Sequence, residues 1–308
     1  MKRDFLSLKD LTRAEIELIL KEAARLKAER KSGGHKPVLA GRTVGLIFNK
    51  PSTRTRVSFE VGVYELGGRV VYLSDPETGF GRREPIPHGA KVLSRYLDAL
   101  VIRTFAQADI ELFARSADVP VINALTDQYH PCQVLSDLFT IAEVKGERLE
   151  DLRIAWVGDG NNMAHSWLNA AAIMGFELAL ATPEKYRPDP QVLAYARERA
   201  TRPITLTSDP VEAVRGADVV NTDVWASMGQ EAQAAERAAH FRGYQINAGL
   251  LAQAAPAAIV LHCLPAHLGE EITEEVLEGP QSVVFDQAEN RLHAQKALLG
   301  FLMAGGAG

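Results

Sequence analysis

Short apolar runs rich in β-branched residues alternate along the chain with longer stretches in which apolar residues recur at helical spacing. Ten of these short runs predict β-strands, four in the first half of the chain and six in the second. They lie at 43–48, 69–73, 99–102, 120–123, 153–157, 178–181, 204–206, 218–221, 258–261 and 282–285. Strands that alternate with helices form parallel sheets covered on both faces. The pattern therefore predicts an α/β fold of doubly wound parallel sheets.

Helical periodicity is clearest at the two ends of the chain and near its middle. Thr12 and Glu15 have the spacing of a capping box ahead of an amphipathic first helix. A second helical pattern covers 131–144, and a long final one covers 286–303. A charged, glycine-containing segment at 145–148 follows the middle pattern, and it is the best candidate for a domain boundary.

The length of 308 residues exceeds the usual size of one hydrophobic core, so two domains of roughly 150 residues each are expected. We predict a first domain at 1–145 and a second at 146–285, joined by interdomain helices. The C-terminal segment, 286–308, is expected to pack back on the first domain.

Composition and charge exclude several classes of partner. The net charge is -5, from 34 basic and 39 acidic residues without a basic block, so a nucleic-acid partner is not expected. No apolar run reaches the ~20 residues that span a bilayer, and the charged N-terminus differs from a signal peptide. Two cysteines, Cys132 and Cys263, fit a reducing compartment. These properties predict a cytoplasmic protein without a membrane partner.

The segment that follows the first predicted strand has the composition of an anion site. Residues 50–56 read Lys-Pro-Ser-Thr-Arg-Thr-Arg and lead directly into a helical pattern at 57–66. A helix N-terminus offers unpaired N–H groups and partial positive charge, so hydroxyl and guanidinium groups placed there favour a phosphate. The alternative interpretation is a well-capped helix with solvated arginines.

Polar residues also follow other predicted strands, where open α/β sheets bind their ligands. Arg103 and a His-Pro-Cys-Gln sequence at 130–133 follow strands in the first half. In the second half come Asp-Gly-Asn-Asn-Met at 159–163, Asp-Val-Trp-Ala-Ser-Met-Gly at 223–229 and His-Cys-Leu-Pro at 262–265. Taken singly, such residues are more often structural than catalytic.

Gly158 and Gly160 suggest a dinucleotide-binding turn, and hence a nicotinamide-dependent oxidoreductase. Met163 occupies the position of the third glycine, which weakens that alternative. It also offers no role for the polar segment at 50–56.

Together, the motifs at 52–56, 130–133 and 262–265 resemble those of the transcarbamoylase family. They occur in the family's order, and the resemblance covers nearly the whole chain. Aspartate transcarbamoylases are expected to carry His-Pro-Gly-Pro in place of His-Cys-Leu-Pro and to lack the run at 223–229. These features and the Asp-Gln-Ala-Glu-Asn-Arg sequence at 286–291 indicate the ornithine branch.

The resemblance implies transfer of a carbamoyl group from carbamoyl phosphate to the δ-amine of L-ornithine, giving L-citrulline and phosphate. The implied ligands of carbamoyl phosphate are Ser52, Thr53, Arg54, Thr55, Arg103, His130, Gln133, Cys263, Leu264 and Arg291. The residues expected to take part in catalysis are Arg103, His130, Cys263 and Arg291. The implied ligands of ornithine are Asn162, Asp223, Ser227, Met228 and Cys263. No metal ion or organic cofactor is implied, and a homotrimer or a multiple of trimers is expected.

One departure from the family's pattern leaves a further alternative open. Gly79 stands where relatives usually have a glutamine, in a loop that in the family reaches a neighbouring subunit. We expect Arg82 or Arg83 to compensate for it. The remaining alternatives are a transcarbamoylase with another amine acceptor, such as a modified ornithine, lysine or putrescine, and a family member without catalytic activity.

Overall fold

The computed structural model describes residues 2–74, 79–81, 83–146, 148–226 and 231–304. The chain divides into two compact units. The first consists of Met1–Phe139 and Glu289–Gly308, and the second of Thr140–Ala288. The limits of the units fall inside the helical patterns predicted at 131–144 and 286–303.

The first unit is built on a four-stranded parallel sheet. Its strands are β1 (Thr43–Phe48), β2 (Arg69–Ser74), β3 (Ala99–Arg103) and β4 (Val121–Leu125), in the order β2-β1-β3-β4. Its helices are α1 (Arg13–Lys31), α2 (Thr53–Glu65), α3 (Ile86–Leu93), α4 (Gln107–Ser116) and most of α5 (Pro131–Lys145). The inner strands are almost wholly buried, since apolar residues of β1 and β3 pack under the helices, among them Ile47, Leu100 and Ile102.

The second unit contains a five-stranded parallel sheet. Its strands are β5 (Arg153–Val157), β6 (Glu177–Ala181), β7 (Ile204–Thr207), β8 (Val219–Thr222) and β9 (Ile259–His262), in the order β7-β6-β5-β8-β9. The helices that follow α5 in this unit are α6 (Asn162–Met174), α7 (Pro190–Arg199), α8 (Pro210–Val214), α9 (Ala234–His240), α10 (Ala248–Leu251) and α11 (Glu274–Leu277). The last helix, α12 (Val284–Ala304), begins in the second unit and lies mostly in the first. The predicted α/β class with parallel sheets is confirmed.

Local signals explain where helices begin. Thr12 and Glu15 form the predicted capping box ahead of α1. Ser52 caps α2, so that helix begins at Thr53 and not at 57 as the apolar pattern predicted. Thr53, Arg54, Thr55 and Arg56 therefore lie on the first turn of the helix, directly after the Ser52 cap, rather than in a loop.

The predicted strand at 282–285 is wrong. Ser282 forms only an isolated bridge with Val260, and α12 begins at Val284. The physical reason is that a run of three apolar residues fits the start of a helix as well as it fits a strand.

Each sheet reverses its winding direction at one place, between β1 and β3 in the first unit and between β5 and β8 in the second. Connections on either side of such a place leave the sheet in opposite directions, which opens a crevice at the carboxyl ends of the strands. None of the helices in the described ranges is long and apolar enough to cross a membrane.

Candidate active site

The first unit gathers hydroxyl groups at the carboxyl ends of β1 and β3. Phe48 and Arg103 are paired across these two strands, so the residues that follow β1 start beside Arg103. Ser52 caps α2 by accepting a hydrogen bond from the Thr55 N–H at 3.4 Å, and its hydroxyl donates to the Thr55 hydroxyl at 2.9 Å. Arg291, on α12, also donates to the Thr55 hydroxyl, at 2.6 Å. The helix N-terminus, two hydroxyls and a guanidinium are therefore held together.

The two arginines on the first turn of α2 have different surroundings. Arg56 donates to Glu60 at 2.8 Å, and its guanidinium lies 3.8 Å from the centre of the Tyr72 ring. Arg54 is exposed, and the described residues offer it no hydrogen bond or ion pair. Arg54 is consequently the one of the two that can bind an anion without breaking a contact to another described residue.

A buried basic cluster lies next to these hydroxyls. His130, Arg103 and Arg291 are each less than a tenth exposed. Burial, followed by the charges of Arg291 and Arg103, lowers the pKa of His130 well below its usual value. His130 is therefore neutral at neutral pH and can donate one N–H to an acceptor. Two guanidinium groups beside a neutral imidazole suit an oxygen on which negative charge develops.

Two residues on the first turn of α5 follow His130. Gln133 is buried and donates from Nε2 to Oδ1 of Asp137 at 2.8 Å. Cys132 is buried too, and burial raises the pKa of its thiol to about 12, which makes it unreactive. Its Sγ donates to the Asn123 carbonyl at 3.3 Å, as expected for a packing residue.

In the second unit, Asp223 lies just after β8 at the reversal point of the sheet. Its Oδ1 accepts from the Cys263 thiol at 3.1 Å and from the Val224 N–H at 2.8 Å. Its Oδ2 accepts from Nδ2 of Asn161 at 3.0 Å. Asn161 is itself fixed, since its side-chain oxygen caps α6. The carboxylate is oriented from three directions and retains lone pairs for a cationic ligand.

The turn that carries Cys263 is held by a buried dyad. Leu264 has φ 57, a left-handed conformation that leucine seldom adopts. Its N–H donates to Nδ1 of His262 at 2.9 Å, while Nε2 of His262 lies 3.0 Å from Oε1 of Glu271. Because Nδ1 accepts, the ring proton is on Nε2 and is donated to Glu271. This arrangement stabilises the turn and so fixes the backbone next to Cys263.

Two family models match the chain: the carbamoyl-P binding domain of aspartate/ornithine carbamoyltransferase at residues 3–143, and the Asp/Orn binding domain at residues 150–302. The chain belongs to the aspartate/ornithine carbamoyltransferase family. The ornithine carbamoyltransferase of Syntrophotalea carbinolica is 55% identical over 304 residues, covering 99% of this chain and 100% of that relative. The one from Desulfotalea psychrophila is 57% identical over 293 residues, covering 95% and 96%.

A solved structure gives the same relationship in three dimensions. The ornithine carbamoyltransferase of Pyrococcus furiosus superposes with a TM-score of 0.95 at 49% identity, covering 99% of this chain and 98% of the other. Both sheets of this carbamoyltransferase therefore have counterparts in a solved relative.

The expected ligands of this carbamoyltransferase fall into two groups at the carboxyl ends of its sheets. Ser52, Thr55, Arg103 and Arg291 lie in the first unit, and hydrogen bonds or strand pairing bring them together. In the second unit, Asp223 and Cys263 are in contact. Asn162 is the half-buried first residue of α6, beside the Asn161 cap. Ser227, Met228 and Arg82 lie outside the described residues; Arg83 is exposed.

A buried ion pair in the second unit was not expected from the sequence. Arg237, on α9, donates to Asp159 at 2.8 Å and to the Trp225 carbonyl at 2.8 Å. It thereby ties the turn after β5 to the turn after β8, where Asp223 lies. Burial raises the pKa of Asp159 to about 6, and the charge of Arg237 opposes that rise. Sequence motifs gave no signal for Arg237 because it follows the motif at 223–229 on a separate helix.

The glycines of the suggested dinucleotide turn have a packing explanation in this carbamoyltransferase. A Cβ on Gly160 would lie 2.3 Å from the Pro188 nitrogen and 2.6 Å from the Tyr186 carbonyl oxygen. The close approach of two backbone segments therefore requires glycine at 160. Gly158 has φ 142, which also favours glycine. Neither residue needs a nucleotide to account for it.

Metal-ligand residue types cluster around the same turn, and several of their donor atoms are already hydrogen-bonded. Asp223, His262 and Cys263 lie close enough to share an ion, as do His267, Glu270 and Glu271. Both ring nitrogens of His262 already have partners, and Glu271 also accepts from the His267 N–H at 2.7 Å. A metal ion bound through His262 or through Oε1 of Glu271 would have to displace these hydrogen bonds, whereas Oε2 of Glu271 has no hydrogen-bond partner among the described residues.

Proposed function

We propose that the protein transfers the carbamoyl group of carbamoyl phosphate to the δ-amine of L-ornithine, giving L-citrulline and phosphate. The proposal is supported most directly by the different charges of the two sets of expected ligands. Arg54, Arg103 and Arg291 make one set of residues basic, whereas the other set presents the carboxylate of Asp223 beside a thiol. An anionic donor and an acceptor with an ammonium group need these two kinds of environment.

For the donor, the phosphate is proposed to bind at the N-terminus of α2. The backbone N–H groups, the hydroxyls of Ser52, Thr53 and Thr55 and the guanidinium of Arg54 would supply donors and positive charge to it. Cys263 and Leu264 are further expected ligands of carbamoyl phosphate.

For the chemical step, the acceptor amine is itself the nucleophile, so no covalent intermediate with the protein is required. The lone pair of the δ-nitrogen forms the new C–N bond, and the C–O bond to phosphate breaks with its electron pair leaving on phosphate. The amine proton passes to the departing phosphate. Arg103, His130 and Arg291 are proposed to stabilise the carbonyl oxygen as its charge develops.

For the acceptor, Asp223 is proposed to pair with the α-ammonium group of ornithine. Asn162 and the backbone of Ser227 and Met228 would hold the α-carboxylate, and Cys263 would face the δ-amine. The hydrogen bond from the Cys263 thiol to Asp223 supports the placement of both residues against one small substrate.

The identity of the acceptor is tested with a panel of amines at saturating carbamoyl phosphate. We expect L-ornithine to be carbamoylated at least about 100-fold faster, in kcat/KM, than L-lysine, putrescine or Nα-acetylornithine, since each lacks a correctly placed polar group. A higher value for any of these would contradict ornithine as the substrate. No turnover with any amine would favour the non-catalytic alternative.

Acid pH is expected to weaken binding of the amino-acid acceptor. As pH falls through about 6, Asp159 takes up a proton and loses its ion pair with Arg237, which loosens the link between the turn after β5 and the turn after β8, where Asp223 lies. Binding of L-norvaline, which resembles ornithine without the δ-amine, should weaken by up to about tenfold between pH 6 and pH 5. Asp159→Asn should remove this pH dependence. An unchanged pH profile in that variant would mean that Asp159 is not the titrating group.

We also infer that the protein assembles as a homotrimer or a multiple of trimers in the cytoplasm. β2 is an edge strand of the first sheet, and Val71 on it is exposed together with Val57 and Tyr64 of α2. Exposed apolar residues beside a sheet edge support contact with a second copy of the chain. Light scattering should give a mass three times that of one chain, or a multiple of it.

A further inference from the structure

The amide group of Gln133 is held in one orientation by Asp137, which lies one helical turn later on α5. Gln133 is 1% exposed and Asp137 is fully buried. Nε2 of Gln133 donates to Oδ1 of Asp137 at 2.8 Å. A carboxylate only accepts hydrogen bonds, so the NH₂ group of the Gln133 amide must face Asp137. Oε1 of Gln133 consequently points away from Asp137.

Oε1 of Gln133 is buried, yet no hydrogen-bond donor reaches it within the part of the chain that the structure describes. Most buried carbonyl oxygens have a partner, and leaving one unpaired is costly. Gln133 is also close to the basic cluster, because its N–H donates to the His130 carbonyl at 3.2 Å. The unpaired acceptor therefore belongs to a residue within one helical turn of His130, and a ligand carrying both an acceptor oxygen and an NH₂ group has partners for both residues.

We propose that Asp137 is a specificity-determining positioning residue, which turns Oε1 of Gln133 toward the NH₂ group of carbamoyl phosphate. This inference rests on the proposed donor substrate. Acetyl phosphate has the same phosphate and carbonyl groups but carries a methyl group in place of NH₂. Bound in the same way, it leaves Oε1 unpaired, and the protein is expected to prefer carbamoyl phosphate by about 10- to 100-fold.

Replacing Asp137 by asparagine removes the constraint on the amide. The asparagine side chain can donate as well as accept, so Gln133 can turn over and present its own NH₂ group to the ligand. Affinity for carbamoyl phosphate then falls by about tenfold, while affinity for acetyl phosphate stays within about twofold. If Asp137 had a purely structural role, its replacement would lower the affinity for both ligands equally.

The test measures dissociation constants for the two acyl phosphates by calorimetry, without any amine, in the wild-type protein and in the Asp137→Asn, Gln133→Leu and double variants. Asp137→Ser, whose hydroxyl can also donate or accept, replaces Asp137→Asn if that variant does not fold. We expect Gln133→Leu to abolish the preference for carbamoyl phosphate over acetyl phosphate. Adding Asp137→Asn to the Gln133→Leu variant should then change neither dissociation constant.

Three results would overturn the inference. The first is an unchanged preference for carbamoyl phosphate over acetyl phosphate in the Asp137 variants, and the second is an equal loss of affinity for both ligands in those variants. The third is a wild-type protein that forms citrulline but binds carbamoyl phosphate no more tightly than acetyl phosphate. If the wild-type protein bound neither acyl phosphate and formed no citrulline, the proposed function would fall as well.

Discussion

Replacing Arg54 by alanine is expected to lower kcat/KM for carbamoyl phosphate by on the order of 100-fold or more, because one charge-assisted donor to the reacting anion contributes about 3 kcal/mol. The side chain is exposed and makes no hydrogen bond or ion pair with any described residue, so its removal should leave the fold intact. Steady-state kinetics with varied carbamoyl phosphate, and thermal unfolding of the variant, check both parts of this expectation.

Arg56 provides the matched control on the same helical turn. Its contacts to Glu60 and Tyr72 lie at the surface, where such pairs contribute little, so Arg56→Ala should change kcat/KM by no more than about threefold. Near-normal turnover and saturation in Arg54→Ala would place the phosphate elsewhere. Equal losses of kcat/KM in the two variants would mean that turnover depends on the total charge of the first turn of α2 rather than on the position of the Arg54 guanidinium.

Asp223→Asn is expected to weaken L-ornithine binding by roughly 100-fold and carbamoyl phosphate binding by less than about threefold, since truncating one partner of a buried charge pair costs about 2–5 kcal/mol. The substitution nearly conserves volume, so packing is retained. Its proposed partner, the α-ammonium group, belongs to the acceptor alone. Separate binding curves for L-norvaline and carbamoyl phosphate measure the two effects.

Asp189→Asn is the matched control in the same unit. Asp189 caps α7, and asparagine caps a helix equally well, so neither substrate should bind differently. If Asp223→Asn weakened both substrates to the same extent, Asp223 would be a structural residue of the turn after β8.

The apolar pattern predicted most strands because inner strands of a parallel sheet are buried on both faces and appear as continuous apolar runs. It was wrong at 282–285, where the apolar residues belong to the start of α12. It also placed the start of α2 too late, because the first turn of that helix is polar and its start is set by the Ser52 cap. Apolar periodicity therefore does not predict where a helix with a polar first turn begins, and it does not distinguish a short strand from the start of a helix.

Motifs located the strand ends where functional groups gather, but they could not rank the residues within a motif. Arg54 and Arg56 are chemically identical in the sequence, and only the contacts of Arg56 with Glu60 and Tyr72 distinguish them. No sequence motif indicates the residues that position other functional residues. Asp137 and Arg237 hold Gln133 and Asp159, and such pairings become visible only when the folded chain brings them together.

The most direct test of the proposed activity follows carbamoyl phosphate labelled with ¹³C at the carbonyl carbon, together with L-ornithine, by NMR. We predict that the label appears in the ureido group of L-citrulline, that phosphate is released in equal amount, and that Arg54→Ala slows both together. Release of phosphate without labelled citrulline, or transfer of the label only to another amine, would contradict it.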